Sequence, residues 1–375
     1  MFKKIIKSLV GIFPSKKIIV LESTPDLSDN TAAVFKEMIS RGINKRYKFV
    51  WWVSDKNKPF PKIKNTVYLD RKGFWNNLLF KWYILRSKCL ICCNKYLIPF
   101  AKKQKSFYLT HGTAIKSVRG YYNIPSSIDY TIVASEPSKK MMAYEFKYDE
   151  EKCIPLGFPR NDVLYNASLD LKRFFGNEYE KFIVWYPTFR QHKNGKTTGS
   201  INAMPIINSA EQAKKLNDIA KSNKTLLIVK PHFAQDISYI NISELSNIIF
   251  INDAFFEDNQ ITSYEFVASC DSLITDYSSI YFDYLLCDKP VAVVWEDIDD
   301  YRKNPGFAID VDYYLKAAHK IYNIDNFSEF IQDVACDKDD FKAARNEIKE
   351  WANCSDKPDN AARVVDFIIK SAKIY

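Results

Sequence analysis

The stretch that most constrains the fold lies between residues 269 and 294. Ser272 to Thr275 predicts a short buried strand, and the polar turn Asp276-Tyr277-Ser278-Ser279 follows it. Apolar residues then recur at helical spacing, and a second apolar run, Val291 to Val294, comes next. A strand, a turn, a helix and a second strand form a βαβ unit, and such units build parallel sheets.

The turn in this unit places Ser278 and Ser279 at the start of the predicted helix. Free backbone N–H groups and the helix dipole favour an anion at such a position, so a phosphate or diphosphate would suit it. The alternative is that one of the two serines only caps the helix. The sequence alone leaves both interpretations open.

The composition indicates two globular domains with an anionic partner. The chain has 375 residues, which is long for one domain and comfortable for two. Its net charge of +9 suits a nucleotide, a phosphate polymer or an acidic lipid surface. We predict no nucleic-acid partner. Cys89 and Cys92 have no second cysteine pair to complete a zinc site, so buried thiols in a reducing compartment are expected.

Two segments are candidates for contact with a membrane surface. No apolar run reaches the roughly 18 residues of a spanning helix. Residues 1–13 could form a basic amphipathic helix on an anionic membrane, or a first helix packed on its own domain. The predicted helix 73–86 carries Trp75 and Trp82 beside basic residues, which favours the bilayer interface over a protein core.

Short apolar strands alternate with helices in two successive series. The first series begins at Lys17–Glu22 and ends at Cys153–Leu156, and the second begins at Phe182–Tyr186. Residues 163–181 are predicted to be a charged helical crossing. The pattern predicts an α/β protein with two Rossmann-like, doubly wound domains, residues 1–165 and 166–345. Ligands then bind where strand ends face a central cleft. Residues 346–375 are expected to form helices that pack back toward the first domain.

The four histidines fall into two groups. His111 directly follows one predicted strand and His232 directly follows another, in the other domain. We interpret these as equivalent strand ends, and therefore as candidate site residues. His192 and His319 have no such setting and are predicted to be surface residues.

Positively charged residues near strand ends could hold a diphosphate. These are Arg160, Arg190 and Lys230. Neither a G-x-x-x-x-G-K-[ST] loop nor a G-x-G-x-x-G fingerprint is present, so a P-loop enzyme or a dinucleotide dehydrogenase lacks its motif. No Asp-x-Asp pair lies at a predicted strand end, and no metal site is predicted.

Five motifs follow one another along the chain: His111–Thr113, Gly157–Asp162, Tyr186–Arg190, Lys230–His232, and Leu273–Ser279 with the following Phe282-Asp283. Together and in this order they resemble the CDP-glycerol glycerophosphotransferase family, the teichoic acid primases and polymerases. Ser23 and Asp29-Asn30 also match the family's N-terminal pattern, and Asn360 to Val364 resembles its last helix. The resemblance covers nearly the whole chain.

The resemblance implies a GT-B fold and a metal-independent transferase without a cofactor. It implies transfer of a polyol phosphate, with glycerol phosphate expected, from a CDP-polyol such as CDP-glycerol, with release of CMP. The acceptor would be a lipid-linked saccharide or polyol phosphate at an anionic membrane surface, in synthesis of a teichoic-acid-like or capsular polymer. It also implies peripheral, monotopic attachment at the cytoplasmic face of the bacterial membrane. Whether the protein forms a homo-oligomer is left open. The first domain would face the acceptor and the second would bind the donor.

The same resemblance assigns roles to individual residues. His111 matches the proposed general base and His232 matches the histidine that engages the donor diphosphate. The expected donor-binding residues are Arg160, Pro187, Thr188, Arg190, Lys230, Thr275, Asp276, Ser278 and Ser279. The expected acceptor-side residues are Ser23, Asp29, Asn30, Gly112 and Thr113.

Two departures from the family pattern leave the polyol and the acceptor open. Phe233 stands where the family usually has proline, and residues 302–306 replace a common Arg-Gly pair. The main alternative is a GT-B glycosyltransferase that uses a nucleotide sugar in surface polysaccharide synthesis. A third hypothesis is a non-catalytic membrane scaffold, for which the loss of His111 or His232 would have no effect.

Overall fold

The structure is a computed structural model that describes residues 16–101, 103–188, 204–232, 235, 237–353 and 355–375. The chain divides into two compact units. The first contains the residues up to Thr113, then Val118–Asp162 and Asn353–Tyr375. The second contains Ala114–Ser117 and Val163–Ala352. Each unit is built on its own parallel sheet.

The first unit has a seven-stranded sheet with the order β3-β2-β1-β4-β5-β6-β7, and all of its strand pairs are parallel. The strands are β1 (Ile18–Glu22), β2 (Lys48–Val53), β3 (Thr66–Asp70), β4 (Cys89–Cys92), β5 (Lys105–Tyr108), β6 (Tyr130–Val133) and β7 (Cys153–Pro155). The strand order reverses between β1 and β4. Loops that leave the carboxyl ends of strands near such a reversal are where doubly wound sheets bind ligands.

Helices cover this sheet and close its hydrophobic core. They are α1 (Asp29–Ser40), α2 (Phe74–Arg86), α3 (Glu136–Glu145) and the C-terminal helix (Asn360–Ala372), with 3₁₀ segments at Ile43–Lys45, Glu150–Lys152 and Pro159–Tyr165. Phe35 of α1 packs edge-on against Trp51 of β2, with ring centroids 5.5 Å apart. The Asp162 carboxylate accepts hydrogen bonds from the backbone N–H groups of Asn360 and Ala361, at 2.9 and 2.8 Å. These bonds satisfy the open N-terminus of the C-terminal helix.

The second unit has a six-stranded parallel sheet with the order β10-β9-β8-β11-β12-β13. Its strands are β8 (Lys181–Trp185), β9 (Thr225–Val229), β10 (Ile248–Phe250), β11 (Ser272–Thr275), β12 (Val291–Val294) and β13 (His319–Ile321). Here the order reverses between β8 and β11. The strands of both units are largely buried apolar runs, as expected of parallel strands covered on both faces.

The helices of the second unit alternate with these strands. They are α4 (Lys172–Phe175), α5 (Ala210–Ser222), α6 (Asp253–Asn259), α7 (Ser263–Ser269), α8 (Ile280–Tyr284), α9 (Ile298–Lys303), α10 (Val311–Tyr314), α11 (Ile324–Ala335) and α12 (Lys342–Ala352), with 3₁₀ turns at Ile242–Glu244 and Leu285–Cys287. Residues 114–117 join this unit through an antiparallel bridge between Lys116 and Phe307. Ile115, in the same short segment, is part of the unit's core.

The structure confirms two doubly wound α/β sheets and corrects one predicted element. The continuous helical crossing expected over residues 163–181 was wrong, because only the end of a 3₁₀ segment and the four residues of α4 are helical there. Gly176, with φ of +107°, follows α4 directly, and the aromatic residues around it pack against the core. Of the last segment, residues 346–352 belong to α12 in the second unit, and residues 353–375 belong to the first.

No helix in the described part of the chain is long and apolar enough to cross a membrane. Cys89, Cys92 and Cys93 are buried free thiols, whereas Cys336 is exposed. Burial raises the pKa of the Cys89 and Cys92 thiols well above the usual range, so both stay protonated and unreactive at neutral pH.

Candidate active site

The loop after β5, residues 109–113, carries His111 and is called the histidine loop below. Asn30, at the start of α1, donates hydrogen bonds from its amide nitrogen to the carbonyl oxygens of Leu109 and Thr110, at 3.2 and 3.0 Å. The Thr110 hydroxyl donates to the carbonyl of Ile132 at 3.1 Å. Thr110 itself has a φ of +51°, which L-residues with branched side chains rarely adopt. The surrounding hydrogen bonds therefore stabilise a backbone conformation of this loop that is unfavourable by itself.

Arg160 forms a second anchor for the histidine loop. One guanidinium nitrogen donates to the carbonyl oxygen of His111 at 2.9 Å, and the other lies 2.6 Å from a carboxylate oxygen of Asp29. The backbone N–H of Arg160 donates to the side-chain oxygen of Asn30 at 3.1 Å. The side chains of Arg160 and Asp29 are only 11% and 15% exposed. Arg160, which is predicted to bind the donor, lies in the first unit and supports the loop that carries His111.

The imidazole of His111 is exposed, and its Nδ1 lies 3.2 Å from the carbonyl oxygen of Cys93, directly after β4. A carbonyl oxygen only accepts hydrogen bonds, so Nδ1 must carry the hydrogen in this contact. In the neutral ring the lone pair is then on Nε2. The ring also meets Tyr122 edge-on, with centroids 6.1 Å apart. This arrangement fixes the tautomer that a general base needs.

Most of the predicted acceptor-side residues are buried. Ser23, Asn30 and Thr113 have almost no exposed surface. The Ser23 hydroxyl donates to the carbonyl of Pro25 at 2.8 Å and accepts from the N–H of Ser28 at 3.1 Å. These side chains shape the loops at the carboxyl edge of the sheet, whereas Gly112 and Asp29 are partly exposed.

In the second unit, Asp276 joins the two loops that leave β8 and β11. Its carboxylate accepts a hydrogen bond from the backbone N–H of Thr188 at 2.7 Å and another from the Thr188 hydroxyl. The Thr275 hydroxyl donates to the carbonyl of Tyr186 at 3.2 Å. Asp276 and Pro187 are buried, so these predicted donor-side residues hold the backbone at the point where the strand order reverses.

Lys230 and His232 follow β9, which pairs with β8. The Lys230 ammonium lies 2.9 Å from a carboxylate oxygen of Asp253 and 5.8 Å from the centroid of the Tyr186 ring. Burial raises the pKa of the Tyr186 hydroxyl well above its usual range, so it stays neutral beside this cation. His232 is exposed.

The two site histidines do not follow equivalent strands. β5 lies beyond β4 in the first sheet, whereas β9 lies on the opposite side of the central β8 in the second sheet. The interpretation of equivalent strand ends was therefore wrong. Both histidines still follow the carboxyl ends of parallel strands, each one strand away from the pair at which the order reverses, and this edge of a doubly wound sheet is where ligands bind.

Ser278 and Ser279 are half-exposed at the start of α8. Ser279 occupies the N-cap position, and its side chain makes no capping hydrogen bond. The alternative of a purely capping serine is therefore not observed for Ser279. α8 is only five residues long, although a 3₁₀ turn continues it, so its dipole is weaker than that of the longer helix expected from the sequence.

Three further predictions concern residues elsewhere. Arg190 and His192 lie outside the described residues. His319 was predicted to be a surface residue, but it lies half-buried in β13 beside Phe330. Burial lowers the pKa of its imidazole. Across the described ranges no group of three or more His, Cys, Asp or Glu side chains is placed to hold a metal ion.

Sequence reasoning missed two features of the site. The backbone carbonyl of Cys93 could not be predicted as a partner of His111, because any residue at that position supplies the same oxygen. Tyr122 could have been singled out as half of the Tyr121-Tyr122 pair that follows the His111 motif, and both of these side chains are exposed.

Comparison with known proteins identifies the family. A sequence model of the family described as CDP-glycerol:poly(glycerophosphate) glycerophosphotransferase matches residues 6–370. A teichoic acid poly(glycerol phosphate) polymerase from Bacillus spizizenii is 25% identical over 339 residues, which is 82% of each chain. A teichoic acid poly(ribitol-phosphate) polymerase from the same organism is 26% identical, and the match covers 80% of this chain but 48% of that longer protein.

The fold is also found among solved structures. The wall teichoic acid polymerase TagF superposes with a TM-score of 0.74 at 20% identity, over 99% of this chain and 94% of that chain. A UDP-N-acetylglucosamine 2-epimerase from Listeria monocytogenes superposes with a TM-score of 0.56 at 13% identity, and the match covers 96% of this chain and 98% of that chain. These likenesses confirm the predicted two-domain, GT-B-like fold, and the family match confirms the predicted transferase. The chain belongs to the CDP-glycerol:poly(glycerophosphate) glycerophosphotransferase family.

Proposed function

We propose that this transferase moves a polyol phosphate from a CDP-polyol to a hydroxyl group of a polyol-phosphate or glycan acceptor and releases CMP. CDP-glycerol is the proposed donor, since the family is described by that substrate. The observation that carries the proposal is the contact between His111 Nδ1 and the Cys93 carbonyl, because it leaves Nε2 of an exposed ring as the proton acceptor.

In the proposed reaction, His111 Nε2 takes the proton of the acceptor hydroxyl. The acceptor oxygen forms a bond to the phosphorus atom that carries the polyol. The bond from that phosphorus to the bridging oxygen breaks, and its electron pair leaves with CMP. A positioned histidine base contributes about 100-fold or more to such a step, and charge that develops on the leaving phosphate must be neutralised.

Donor-side residues are proposed to supply this neutralisation. Lys230 is held between Asp253 and the Tyr186 ring, and His232 is exposed two residues further along the chain. Ser278 and Ser279 present hydroxyl groups near the start of α8. Asp276 acts indirectly, through Thr188. Arg190 is assigned to the same diphosphate on the family motif alone.

Attachment to an anionic membrane surface, on its cytoplasmic face, is proposed for the first unit. Five large apolar side chains of α2 are exposed: Phe74, Trp75, Leu78, Leu79 and Trp82. An apolar face of this size, with tryptophans and flanking cations, suits a lipid interface better than water. The second candidate segment, residues 1–13, lies outside the described residues.

CMP release tests the proposal. Wild type and His111→Ala are assayed with CDP-glycerol and with CDP-ribitol, using a bacterial membrane extract as acceptor, with and without EDTA. We expect release by wild type only, from one donor in preference to the other, and no effect of EDTA. Release that needs added metal would overturn the metal-independent mechanism. If neither CDP-polyol reacts, a screen of nucleotide sugars would test the glycosyltransferase alternative.

A further inference from the structure

The outer face of α2 carries large apolar side chains that are exposed. Only Phe80 and Ile84 of this helix are buried against the sheet, and Phe80 stacks on Trp52 with ring centroids 4.3 Å apart. On the opposite face, Trp75 is 76% exposed and Trp82 is 45% exposed. The helix therefore carries two apolar faces, of which the protein covers one.

A cationic cavity adjoins this exposed face at the carboxyl end of α2. It has a volume of about 430 Å³, and Lys16, Lys17, Lys48 and Arg86 line it. Among the described residues that line it, none is acidic. The guanidinium of Arg86 lies 5.1 Å from the centre of the Trp82 ring, so cation and aromatic surface are presented together. Such a cavity attracts phosphate groups.

Leu79 and Trp82 belong both to the cavity wall and to the exposed face of α2. A ligand that joins a phosphate to an apolar chain can use both surfaces at once, whereas a free phosphate can use only the cations. We propose that this cavity binds the phosphate of an anionic phospholipid headgroup while the outer face of α2 contacts its acyl chains. The inference deepens the membrane attachment in the proposed function and rests on it.

The cavity lies away from the histidine loop. Ile18 and Lys48, the first residues of β1 and β2, line the cavity, so it is at the amino edge of the sheet. The histidine loop follows the carboxyl end of β5, at the opposite edge. Loss of cations from the cavity should therefore weaken lipid binding without changing the chemistry at His111.

The test uses two double variants of the full chain with equal net charge. Lys17→Gln/Lys48→Gln removes two exposed cavity cations, and Lys214→Gln/Lys221→Gln removes two exposed cations from α5. Sedimentation with vesicles compares phosphatidylcholine alone with phosphatidylcholine mixed with phosphatidylglycerol. We expect the cavity variant to bind the mixed vesicles about tenfold more weakly than wild type, because each cation near an anionic surface contributes to binding. The α5 variant should bind like wild type.

Two further measurements separate the outcomes. Titration with dihexanoyl-phosphatidylglycerol below its micelle concentration should saturate in wild type and in the α5 variant, and inorganic phosphate should compete poorly. Equal loss of vesicle binding in both double variants would mean that binding depends on net charge and not on this cavity. Competition by inorganic phosphate as strong as that by the lipid would mean that the cavity binds phosphate alone. Either result would overturn the proposed lipid site. CMP release with a soluble polyol-phosphate acceptor is measured in parallel. Release by the cavity variant would show that the transferase proposal survives even if the lipid site fails.

Discussion

The guanidinium of Arg160 donates a hydrogen bond of 2.9 Å to the carbonyl oxygen of His111. It does so while paired with Asp29, from which it lies 2.6 Å away, so a largely buried ion pair fixes the backbone of the proposed base. The side chain of His111 meanwhile contacts the Cys93 carbonyl. Backbone and ring are thus held from two directions, by residues far away in the sequence.

Arg160→Lys should lower the turnover rate more than donor affinity. A lysine can pair with Asp29 but supplies no planar fork to reach the His111 carbonyl at the same time. Misplacement of a base by about 1 Å costs up to about 100-fold in rate. Steady-state kinetics of CMP release with varied CDP-glycerol would show a lower kcat and a nearly unchanged KM. Arg363→Lys, in the C-terminal helix, is the matched control. A raised KM with an unchanged kcat would instead indicate that Arg160 binds the donor.

His111→Asn separates the two roles of the imidazole. The asparagine amide can still donate to the Cys93 carbonyl, but it has no basic nitrogen to take a proton. We expect a loss of at least about 100-fold in CMP release, as in His111→Ala, with donor binding retained by calorimetry. If His111→Asn kept most of the wild-type rate, the ring would serve only to shape the loop.

Thr188→Val should weaken both folding and donor binding in the second unit. The valine leaves the buried Asp276 carboxylate with the backbone N–H of Thr188 but without the hydroxyl. A lost hydrogen bond to a buried charge costs on the order of 2 kcal/mol in the free energy of unfolding. Chemical denaturation and calorimetry with CDP-glycerol would measure the two effects. Thr66→Val, in β3 of the first unit, tests for a general effect of the substitution. An unchanged free energy of unfolding would show that the hydrogen bond from the Thr188 hydroxyl to Asp276 does not stabilise the fold.

The apolar strands were the most predictable part of the fold. Val291–Val294 was predicted with its observed limits, because a strand buried on both faces must be apolar throughout. β13 escaped prediction, because His319 and Lys320 interrupt any apolar run and only Ile321 is fully buried. Its pairing with β12, not its own composition, makes it a strand.

The position of the candidate site motifs after strands was predictable from the sequence, but the contacts among their residues were not. A motif that follows a strand indicates that its residues lie at the carboxyl edge of a sheet, and His111 and Lys230 do. The sequence carries no sign of which loops meet there. Arg160 pairs with Asp29 across 131 positions of the chain, a contact that the charge of the residue alone could not indicate. The order of the strands decides which loops are neighbours, and this order is set by contacts between distant parts of the chain.

Trp75→Ser/Trp82→Ser should reduce recovery of the enzyme with membranes while leaving its free energy of unfolding nearly unchanged. Both side chains are exposed, so their loss removes little buried surface from the core. Membrane flotation and thermal denaturation would measure the two properties. Phe80→Ser is the contrasting variant, since Phe80 is buried and its loss should destabilise the fold by about 3 kcal/mol. Equal membrane recovery of the double variant and wild type would exclude α2 as the contact.

Glu22 makes the stability of the first unit depend on pH. Its fully buried carboxylate accepts hydrogen bonds from the N–H groups of Asn94 and Lys95, and it lies 3.5 Å from Arg71. Burial is the largest influence and raises the pKa of this carboxyl, against the opposing effect of those partners. A raised folded-state pKa means that the stabilising contribution is complete below the unfolded-state value and is lost as pH rises through the folded-state value.

Wild type should therefore gain stability relative to Glu22→Gln as the pH falls from neutral toward the ordinary pKa of a glutamate, because only wild type takes up the extra proton on folding. Urea denaturation of both proteins at several pH values gives this difference, in which the other titrating groups cancel. Glu151→Gln, at an exposed glutamate, controls for the substitution itself. A difference between wild type and Glu22→Gln that grew with rising pH would mean that Arg71 and the two backbone donors outweigh the cost of burial.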